Sequence, residues 1–270
     1  QAFPRRYMDV GIAEQNMVGI AAGLALAGKI PVAHSFACFL TMRSCEQVRT
    51  LVAYPKLNVK LVASHSGISA GTAGTTHHAI EDIAIMRSIP NMAVLVPGDV
   101  EEMRQVVCQA LDYKGPVYIR LSAQDVQDVF SKEYRFRIGK AAELRNGDDA
   151  AIITTGIMIR EGLAAADRLL KEHGIKARVL QMASIKPIDR QAIIKSARDT
   201  GHIITVEEHN CLGGLGGAVA EIVSEEAKAK VLRIGINDRF CGVGSAGFLM
   251  KKEGLTAKNI IKQIIRFLKK

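Results

Sequence analysis

The hydrophobic positions of this chain form short continuous runs that alternate with segments of helical periodicity. In the first half, apolar runs of strand length lie at Tyr7–Val10, Ile30–His34, Val59–Ser64, Ala93–Val96 and Val117–Leu121. The helical segments between them cover Glu14–Ala27, Arg43–Ala53, Ala79–Ser88 and Val100–Asp112. Strands that alternate with helices predict βαβ units and a mostly parallel sheet. Asp99 precedes the last of these helices and is expected to cap it.

The alternation stops once, in a charged stretch from about residue 125 to residue 147 that suggests a linker with an extended ribbon. It then resumes with strands at Ala150–Thr154, Ala177–Leu180, Ile203–Val206 and Val231–Ile234. The accompanying helices are predicted at Arg160–Glu172, Asp189–Arg198 and Gly217–Glu225. We therefore expect an α/β fold of two domains, each a mostly parallel sheet flanked by helices. The domains are residues 1–127 and 147–270, and 128–146 is the linker.

Both ends of the chain carry an expectation of their own. The sequence starts at Gln1, close to the first predicted strand, so we expect further sequence upstream in the first domain. At the other end a helix follows Thr256, a possible cap, and places Ile260, Ile261, Ile264, Ile265 and Leu268 on one face. A membrane-surface helix has such a face, but packing against its own domain is the expected arrangement.

Composition narrows the class of protein. With 48% hydrophobic residues in 270, the chain can build a substantial core, and no run reaches the roughly 18 apolar residues of a membrane span. The net charge is +9, but only 5% of residues are aromatic and the basic residues are scattered, so we expect no nucleic-acid binding. An acidic partner or an anionic substrate explains the charge equally well. Five cysteines without a CxxC pair favour reduced thiols and a cytoplasmic protein.

Three stretches carry candidate chemistry. In "VGIAEQNMVGIAAGLA" the carboxylate of Glu14 precedes a small, apolar run, and by itself it could be a helix-capping glutamate. In "SFACF", Phe36 and Phe39 follow a strand, where they form either a platform for a flat heterocycle or part of the core. "SHSGISAGTAGTTHH" holds His65 and His77 in a Gly- and Ser-rich loop, without the ligand pattern that zinc requires.

These stretches, with "SHSGISAGTAGTTHHAIEDIAIMRSIPNMAVLVPGD" and "GPVYIRLS", resemble the pyrimidine-binding domain of transketolases. The later "GKAAELRNGDDAAIITTGIM", "EEHNCLGGLGGAVAE" and "NDRFCGVGSAGFLMKKEGL" resemble the transketolase C-terminal domain. The similarity runs in order along essentially the whole chain. It is closest to the C-terminal subunit of split, two-gene transketolases.

The resemblance implies that thiamine diphosphate is the cofactor and assigns roles to five residues. Glu14 matches the acid that hydrogen-bonds N1′ of the aminopyrimidine and promotes the loss of the thiazolium C2 proton. We expect its apolar surroundings to raise its pKa by desolvation. Phe39 matches the residue that stacks on the pyrimidine, and Phe36 lines the same pocket. His77 matches a histidine near the 4′-amino group and the substrate, and His65 matches one that contacts the substrate phosphate.

Two positions depart from the family. The family loop reads Gly-Glu-Asp-Gly, whose Asp contacts a substrate hydroxyl, but Ala73 stands at that Asp position here. After "GPVYIRLS" the family has an Arg for the substrate phosphate, and this chain has Ala123. Arg120 is a poor replacement, because strand alternation directs it to the other face of the sheet. These departures suggest a substrate that differs at its phosphate end.

The Gly-Asp-Gly…Asn motif that binds diphosphate and Mg²⁺ in this group is missing. The nearest match, Gly147-Asp148-Asp149, reads as a turn between domains. We therefore expect no metal site here and half an enzyme, active with an N-terminal subunit that carries the motif, in an α2β2 assembly. The expected reaction is transfer of a two-carbon ketol unit from a ketose to an aldose. The alternatives are a subunit resembling deoxyxylulose-phosphate synthase or a 2-oxo-acid dehydrogenase beta chain, and a non-catalytic scaffolding or regulatory subunit.

Overall fold

The first half of the chain builds a parallel sheet with helices on its faces. The computed structural model describes residues 3–269. Its first strands are β1 (Val32–Phe36), β2 (Lys60–Ser64), β3 (Ala93–Leu95) and β4 (Val117–Arg120). They are parallel and lie in the order β1-β2-β4-β3. The helices are α1 (Glu14–Leu26), α2 (Cys45–Gln47), α3 (Asp82–Ser88) and α4 (Val100–Asp112). Every side chain of β3 and β4 is buried, which explains why these strands read as unbroken apolar runs.

The second half builds a second sheet in the order β10-β9-β6-β7-β5. Its strands are β5 (Ala142–Arg145), β6 (Ala150–Thr154), β7 (Ala177–Gln181), β9 (His202–Asn210) and β10 (Lys230–Ile236). Only the edge strand β5 is antiparallel to its neighbour. The helices are α5 (Met158–His173), α6 (Arg190–Thr200), α7 (Leu215–Glu226), α8 (Ala246–Lys252) and α9 (Ala257–Leu268). The predicted fold class, two mostly parallel sheets flanked by helices, is confirmed.

One short strand joins the two halves. β8 (Ser184–Lys186) leaves the second half and pairs antiparallel with β3 at the edge of the first sheet. The first sheet therefore has five strands, one of them supplied from far along the chain. Behind this junction, buried residues of both halves form one continuous hydrophobic cluster. The two halves therefore share part of their core.

One predicted element of the first half is wrong, and another is present in an irregular form. The predicted strand Tyr7–Val10 has no regular secondary structure, and Tyr7 and Met8 are exposed. The predicted helix at Arg43–Ala53 is confirmed as helical, but it is irregular: two π-helical segments, Phe39–Arg43 and Val48–Ala53, lie on either side of α2.

Two hydroxyl groups distort the first of these segments, Phe39–Arg43. The hydroxyl of Thr41 donates to the Ala37 carbonyl at 2.6 Å, and that of Ser44 donates to the Leu40 carbonyl at 2.7 Å. Both side chains are buried and bond carbonyls four residues back, where they compete with the backbone ladder and distort the helix.

Two local expectations are confirmed. Asp99 caps α4, because its side chain accepts from the Glu102 N–H at 2.7 Å. Helix α9 lies against α5 and buries Ile260, Ile261 and Ile264 in the core of the second half. Between residues 3 and 269, no helix has both the length and the apolar character that crossing a bilayer requires.

Candidate functional site

The candidate site lies where β1 and β2 end. Phe36 and Ser64 are register partners at the ends of these parallel strands, and His65 comes directly after Ser64. Helix α1, whose first residue is Glu14, packs against β1, and the Ser35 hydroxyl at the end of β1 contacts Glu14. Ligands of open α/β sheets bind at this carboxyl edge. The structure therefore brings the sequence-predicted residues to the expected place.

Glu14 is a nearly buried acid with both oxygens engaged. The residue is 5% exposed. The Ser35 hydroxyl donates to Oε1 at 3.0 Å, and Arg43 Nη1 donates to Oε2 at 2.7 Å. Neither partner was singled out by the sequence. Ser35 precedes Phe36 at the end of β1, and Arg43 lies four residues after Phe39, which is the spacing that places two side chains on one helical face.

The expectation of a raised pKa at Glu14 is wrong for this chain. Desolvation by itself raises the pKa, as expected, but the hydrogen bonds from Arg43 and Ser35 and the positive charge of Arg43 together hold the pKa of Glu14 below its ordinary value. Glu14 is therefore ionised here at neutral pH. A proton at this carboxyl requires that the Arg43 contact be weakened.

Four rings form an aromatic cluster beside Glu14. Phe36 and Phe39 are parallel, with ring centroids 6.1 Å apart, and the His77 ring meets the Phe39 ring edge-on at 5.2 Å. The His65 ring stacks on Phe36 at 3.9 Å. The interplanar angle is only 5° between the two phenylalanines, so they present flat faces suited to a planar heterocycle. The roles of these residues stay predictions, but their proximity is established.

The two histidines are held differently. His65 has a left-handed backbone with φ of 55°, uncommon outside glycine and often found at functional sites. Burial, followed by the charge of nearby His34, lowers the pKa of His65, so its ring is neutral at pH 7. His77 is half-buried, and its Nδ1 lies 3.0 Å from the Thr76 hydroxyl. The neighbouring His78 turns inward instead, with its Nε2 3.3 Å from the Gly71 carbonyl.

The second half of the chain supports the loop that carries these histidines. Glu208 of β9 accepts from the Ile68 N–H at 2.9 Å, and the Thr75 hydroxyl donates to the Cys241 carbonyl at 2.6 Å. A side chain at Gly71 would come within 3.2 Å of the Gly244 carbonyl oxygen. The second half of the chain therefore holds this loop at several points. These contacts could not be predicted from the sequence, because they join residues far apart in the chain.

Because Ala73 and Ala123 stand at the two departures from the family, neither position supplies a charged group to the phosphate end of the predicted substrate site. Ala73 and Ala123 are both exposed. The Ala123 N–H donates to the Ser69 hydroxyl at 3.2 Å. Arg120 is directed away as expected: it is 4% exposed, donates to Asp82 at 2.8 Å and to the Glu208 carbonyl at 2.9 Å, and cannot reach a substrate.

The residues present fit one end of thiamine diphosphate only. A buried carboxylate beside parallel aromatic rings fits an aminopyrimidine, which offers ring nitrogens and a flat face. For the diphosphate and metal end, the sequence lacks the Gly-Asp-Gly…Asn motif, and within residues 3–269 no three His, Cys, Asp or Glu side chains are grouped to hold a metal ion.

The Gly147-Asp148-Asp149 segment is a structural turn. It connects β5 to β6 within the second sheet, and Asp149 accepts from the Lys176 N–H at 2.7 Å. A side chain at Gly147 would clash with the Lys176 carbonyl oxygen. A close backbone approach therefore accounts for the glycine, and a hydrogen bond accounts for Asp149.

Comparison with known families agrees with this geometry. Residues 1–128 match the transketolase pyrimidine-binding domain, and residues 139–260 match the transketolase C-terminal domain. A putative transketolase C-terminal section of Methanocaldococcus jannaschii is 48% identical over 99% of this chain and 84% of its own length. A 6-deoxy-6-sulfo-D-fructose transketolase subunit of a Clostridium species is 46% identical over 97% of this chain and 81% of its own length.

Solved structures give the same result. A split-gene transketolase, described as an inactive beta4 tetramer, superposes with a TM-score of 0.93 at 47% identity and covers 99% of this chain and 86% of its own. The transketolase of Leishmania mexicana gives a TM-score of 0.77 at 25% identity over 96% of this chain, which matches only 37% of that longer protein.

Proposed function

The chain belongs to the transketolase family as a C-terminal subunit, and we propose that with an N-terminal partner it transfers a two-carbon ketol unit from a ketose to an aldose. The observation that carries this proposal is the Glu14 site. A nearly buried carboxylate next to Phe36, Phe39 and His77 offers half of a thiamine diphosphate site, and the sequence lacks the Gly-Asp-Gly…Asn motif expected for the other half.

In this proposal, each residue at the pyrimidine end of the cofactor site has a separate role. When bound, thiamine diphosphate supplies the electron sink that ketol transfer needs. Glu14 would hold a proton against the N1′ atom of the pyrimidine, and Ser35 would fix the orientation of the carboxyl group. Phe39 would provide the stacking face, and Phe36 would exclude water beside it. His77, whose Nδ1 lies near the Thr76 hydroxyl, would exchange protons with the 4′-amino group or the substrate.

The partner completes the site in this proposal. It would carry the Gly-Asp-Gly…Asn motif and hold the diphosphate and Mg²⁺, in a cytoplasmic α2β2 assembly. Two observations support a separate partner: the missing metal group within residues 3–269, and a solved relative described as an inactive beta4 tetramer. The same observations weaken the alternative of a chain that is active alone. The retained Glu14 and aromatic cluster weaken the alternative of a non-catalytic scaffold.

The substrate is proposed to differ from ordinary sugar phosphates at its far end. His65 remains as a donor there, but its lowered pKa makes it neutral, and Ala73 and Ala123 supply no charged group. Two relatives act on other sugars by name: 6-deoxy-6-sulfo-D-fructose for one and apulose 4-phosphate for a 42% identical subunit of Phocaeicola vulgatus. A sulfonate, a branched sugar or a free hydroxyl would each fit a site that lacks these two groups.

A substrate panel on the reconstituted pair tests this proposal. The kcat/KM for xylulose 5-phosphate is measured beside that for sulfonated, branched and non-phosphorylated ketoses. One of the latter should have the highest value. Ala123→Arg should raise kcat/KM for the phosphorylated donor about 10-fold or more, since a charged hydrogen bond contributes roughly 1.5–3 kcal/mol. If xylulose 5-phosphate is the best donor and Ala123→Arg does not improve it, the substrate proposal is wrong.

A further inference from the structure

Arg43 lies in an unusual position inside the candidate site. Its guanidinium carbon is 4.1 Å from the centre of the Phe39 ring, and the same guanidinium donates to Glu14 Oε2 at 2.7 Å. One planar group therefore stacks on Phe39 and hydrogen-bonds Glu14 at the same time. These are the two contacts that the proposed function assigns to the aminopyrimidine ring of the cofactor.

The two occupants exclude each other. A guanidinium and an aminopyrimidine are both flat and both present N–H groups to a carboxylate, and stacking at about 4 Å leaves no room for a second plane in between. The face of Phe39 in question is the face towards Glu14, because the guanidinium that covers the ring also contacts the carboxylate. A ring bound there must displace Arg43.

The Arg43 side chain has room to rotate into solvent, whereas the Glu14 side chain does not. The Arg43 side chain is 45% exposed and the Glu14 side chain 6%. Arg43 also ends the π-helical segment Phe39–Arg43, a rare type of turn that is often found at functional sites. The guanidinium can therefore rotate into solvent at little cost, since its ion pair is partly exposed.

We infer that Arg43 is a latch: it occupies the pyrimidine subsite when the cofactor is absent and swings out when the cofactor binds. The inference rests on the proposed function. Displacement has a second consequence for Glu14. It removes the cation beside the carboxylate and leaves Ser35 as its partner, so the acid becomes able to take the proton that N1′ requires. Cofactor entry and the protonation of Glu14 would thus be one event.

Cofactor affinity tests the latch directly. Binding of thiamine diphosphate with Mg²⁺ is measured by calorimetry on the full chain reconstituted with its partner subunit. Arg43→Ala should tighten the Kd about three- to tenfold, because the cofactor no longer has to break an exposed ion pair and a cation–π contact. Arg43→Lys keeps the charge but loses the planar group, so it should give a smaller gain.

A matched control removes the same charge nearby. Arg49 is exposed in the segment Val48–Ala53, and its side chain contacts neither Glu14 nor Phe39 through a hydrogen bond or cation–π contact. Arg49→Ala should therefore leave the Kd unchanged. An Arg43→Ala complex that binds the cofactor equally well or more weakly overturns the latch.

A second readout is independent of affinity. In the free chain, the Nε–H NMR signal of Arg43, assigned by its loss in Arg43→Lys, should be shifted upfield by the Phe39 ring. It should return to the range of exposed arginines when cofactor and partner are added. A signal that stays shifted in the loaded complex overturns the inference, and so does an unshifted signal in the free chain. If the wild-type complex binds no thiamine diphosphate, the proposed function itself fails, and the latch fails with it.

Discussion

At the scale of single residues, the site depends on how Glu14 is partnered. The sequence places this acid ahead of an apolar run, and that pattern predicts desolvation correctly. It does not predict the sign of the pKa shift, because the sign is set by Arg43, a residue 29 positions away that reaches the carboxylate only in the folded chain. A contact that depends on one side-chain rotamer leaves no periodic pattern in the sequence.

Replacing Glu14 tests its role as the acid. Glu14→Gln keeps the shape of the side chain and a hydrogen-bonding partner for Ser35, but it cannot exchange the proton. In the reconstituted enzyme, kcat should fall by about 10²–10⁴-fold, the range for loss of a general acid–base group. Thermal unfolding should change little, since the lost ion pair involves a half-exposed arginine.

Glu46→Gln is the matched control for this substitution. Glu46 is an exposed carboxylate in α2, so its neutralisation changes the charge equally without touching the site. Its kcat should equal that of the wild type. Near-normal kcat in Glu14→Gln would show that another group activates the cofactor.

At the scale of elements, the long buried strands and helices were predictable, and the short or irregular ones were not. β6 and α4 occur at the predicted bounds, because a run of buried residues and a capped amphipathic helix are strong local signals. β8 is three residues long and is stabilised by pairing with β3, about 90 positions earlier in the chain. The π-helical segment at Phe39–Arg43 depends on buried hydroxyl contacts. Neither element has a local pattern that distinguishes it.

The cap of α4 offers a test at this scale. Asp99 is 3% exposed and accepts three backbone N–H groups at 2.7 Å, from Glu102, Val129 and Phe130. It thus fastens the segment after β4 to the helix. Asp99→Ala should cost about 2–4 kcal/mol of unfolding free energy, because it removes a cap and leaves two further donors without partners. Urea denaturation of the full chain measures this loss.

Ser245→Ala provides the comparison. Ser245 caps α8 through a single, exposed hydrogen bond of 3.3 Å to the Phe248 N–H. Its loss should cost about 1 kcal/mol or less. Equal destabilisation by the two variants would show that the extra contacts of Asp99 contribute nothing.

At the scale of the whole molecule, buried charges join the two halves. Arg120 of β4 pairs with Asp82 of α3, and it also donates to the backbone of Glu208 in β9. Burial raises the pKa of Glu208 to about 7, although the charge of Arg120 and the Ile68 N–H oppose the shift. Glu208 also accepts from the Ile68 N–H in the loop after His65, so one residue contacts both the domain junction and that loop.

The pH dependence of stability tests the raised pKa of Glu208. In the folded chain Glu208 keeps its proton up to about pH 7, whereas unfolding returns its pKa to the ordinary 4.5. The stability that Glu208 contributes is therefore present at low pH and is lost as pH rises through that window. The difference in unfolding free energy between wild type and Glu208→Gln should fall by roughly 2–3 kcal/mol between about pH 5 and pH 8.

The unfolding free energies of wild type and Glu208→Gln are subtracted because neighbouring groups also contribute to the pH dependence. Glu207 has its pKa raised to about 7 by burial, and His209 has its pKa lowered to about 4 by burial, with the opposite effect on stability. Both remain in the variant and cancel in the difference. A difference that is flat across this range would mean that Glu208 is ionised in the folded chain at all of these pH values.

The most direct test of the central claim, that this chain holds half of a thiamine diphosphate site, is the affinity of the cofactor for the chain with and without its partner. Calorimetry with thiamine diphosphate and Mg²⁺ should show tight binding to the reconstituted pair. For the chain alone, binding should be at least about 100-fold weaker, because the sequence lacks the Gly-Asp-Gly…Asn motif that holds the metal and diphosphate in this group. Equally tight binding by the chain alone would contradict the account.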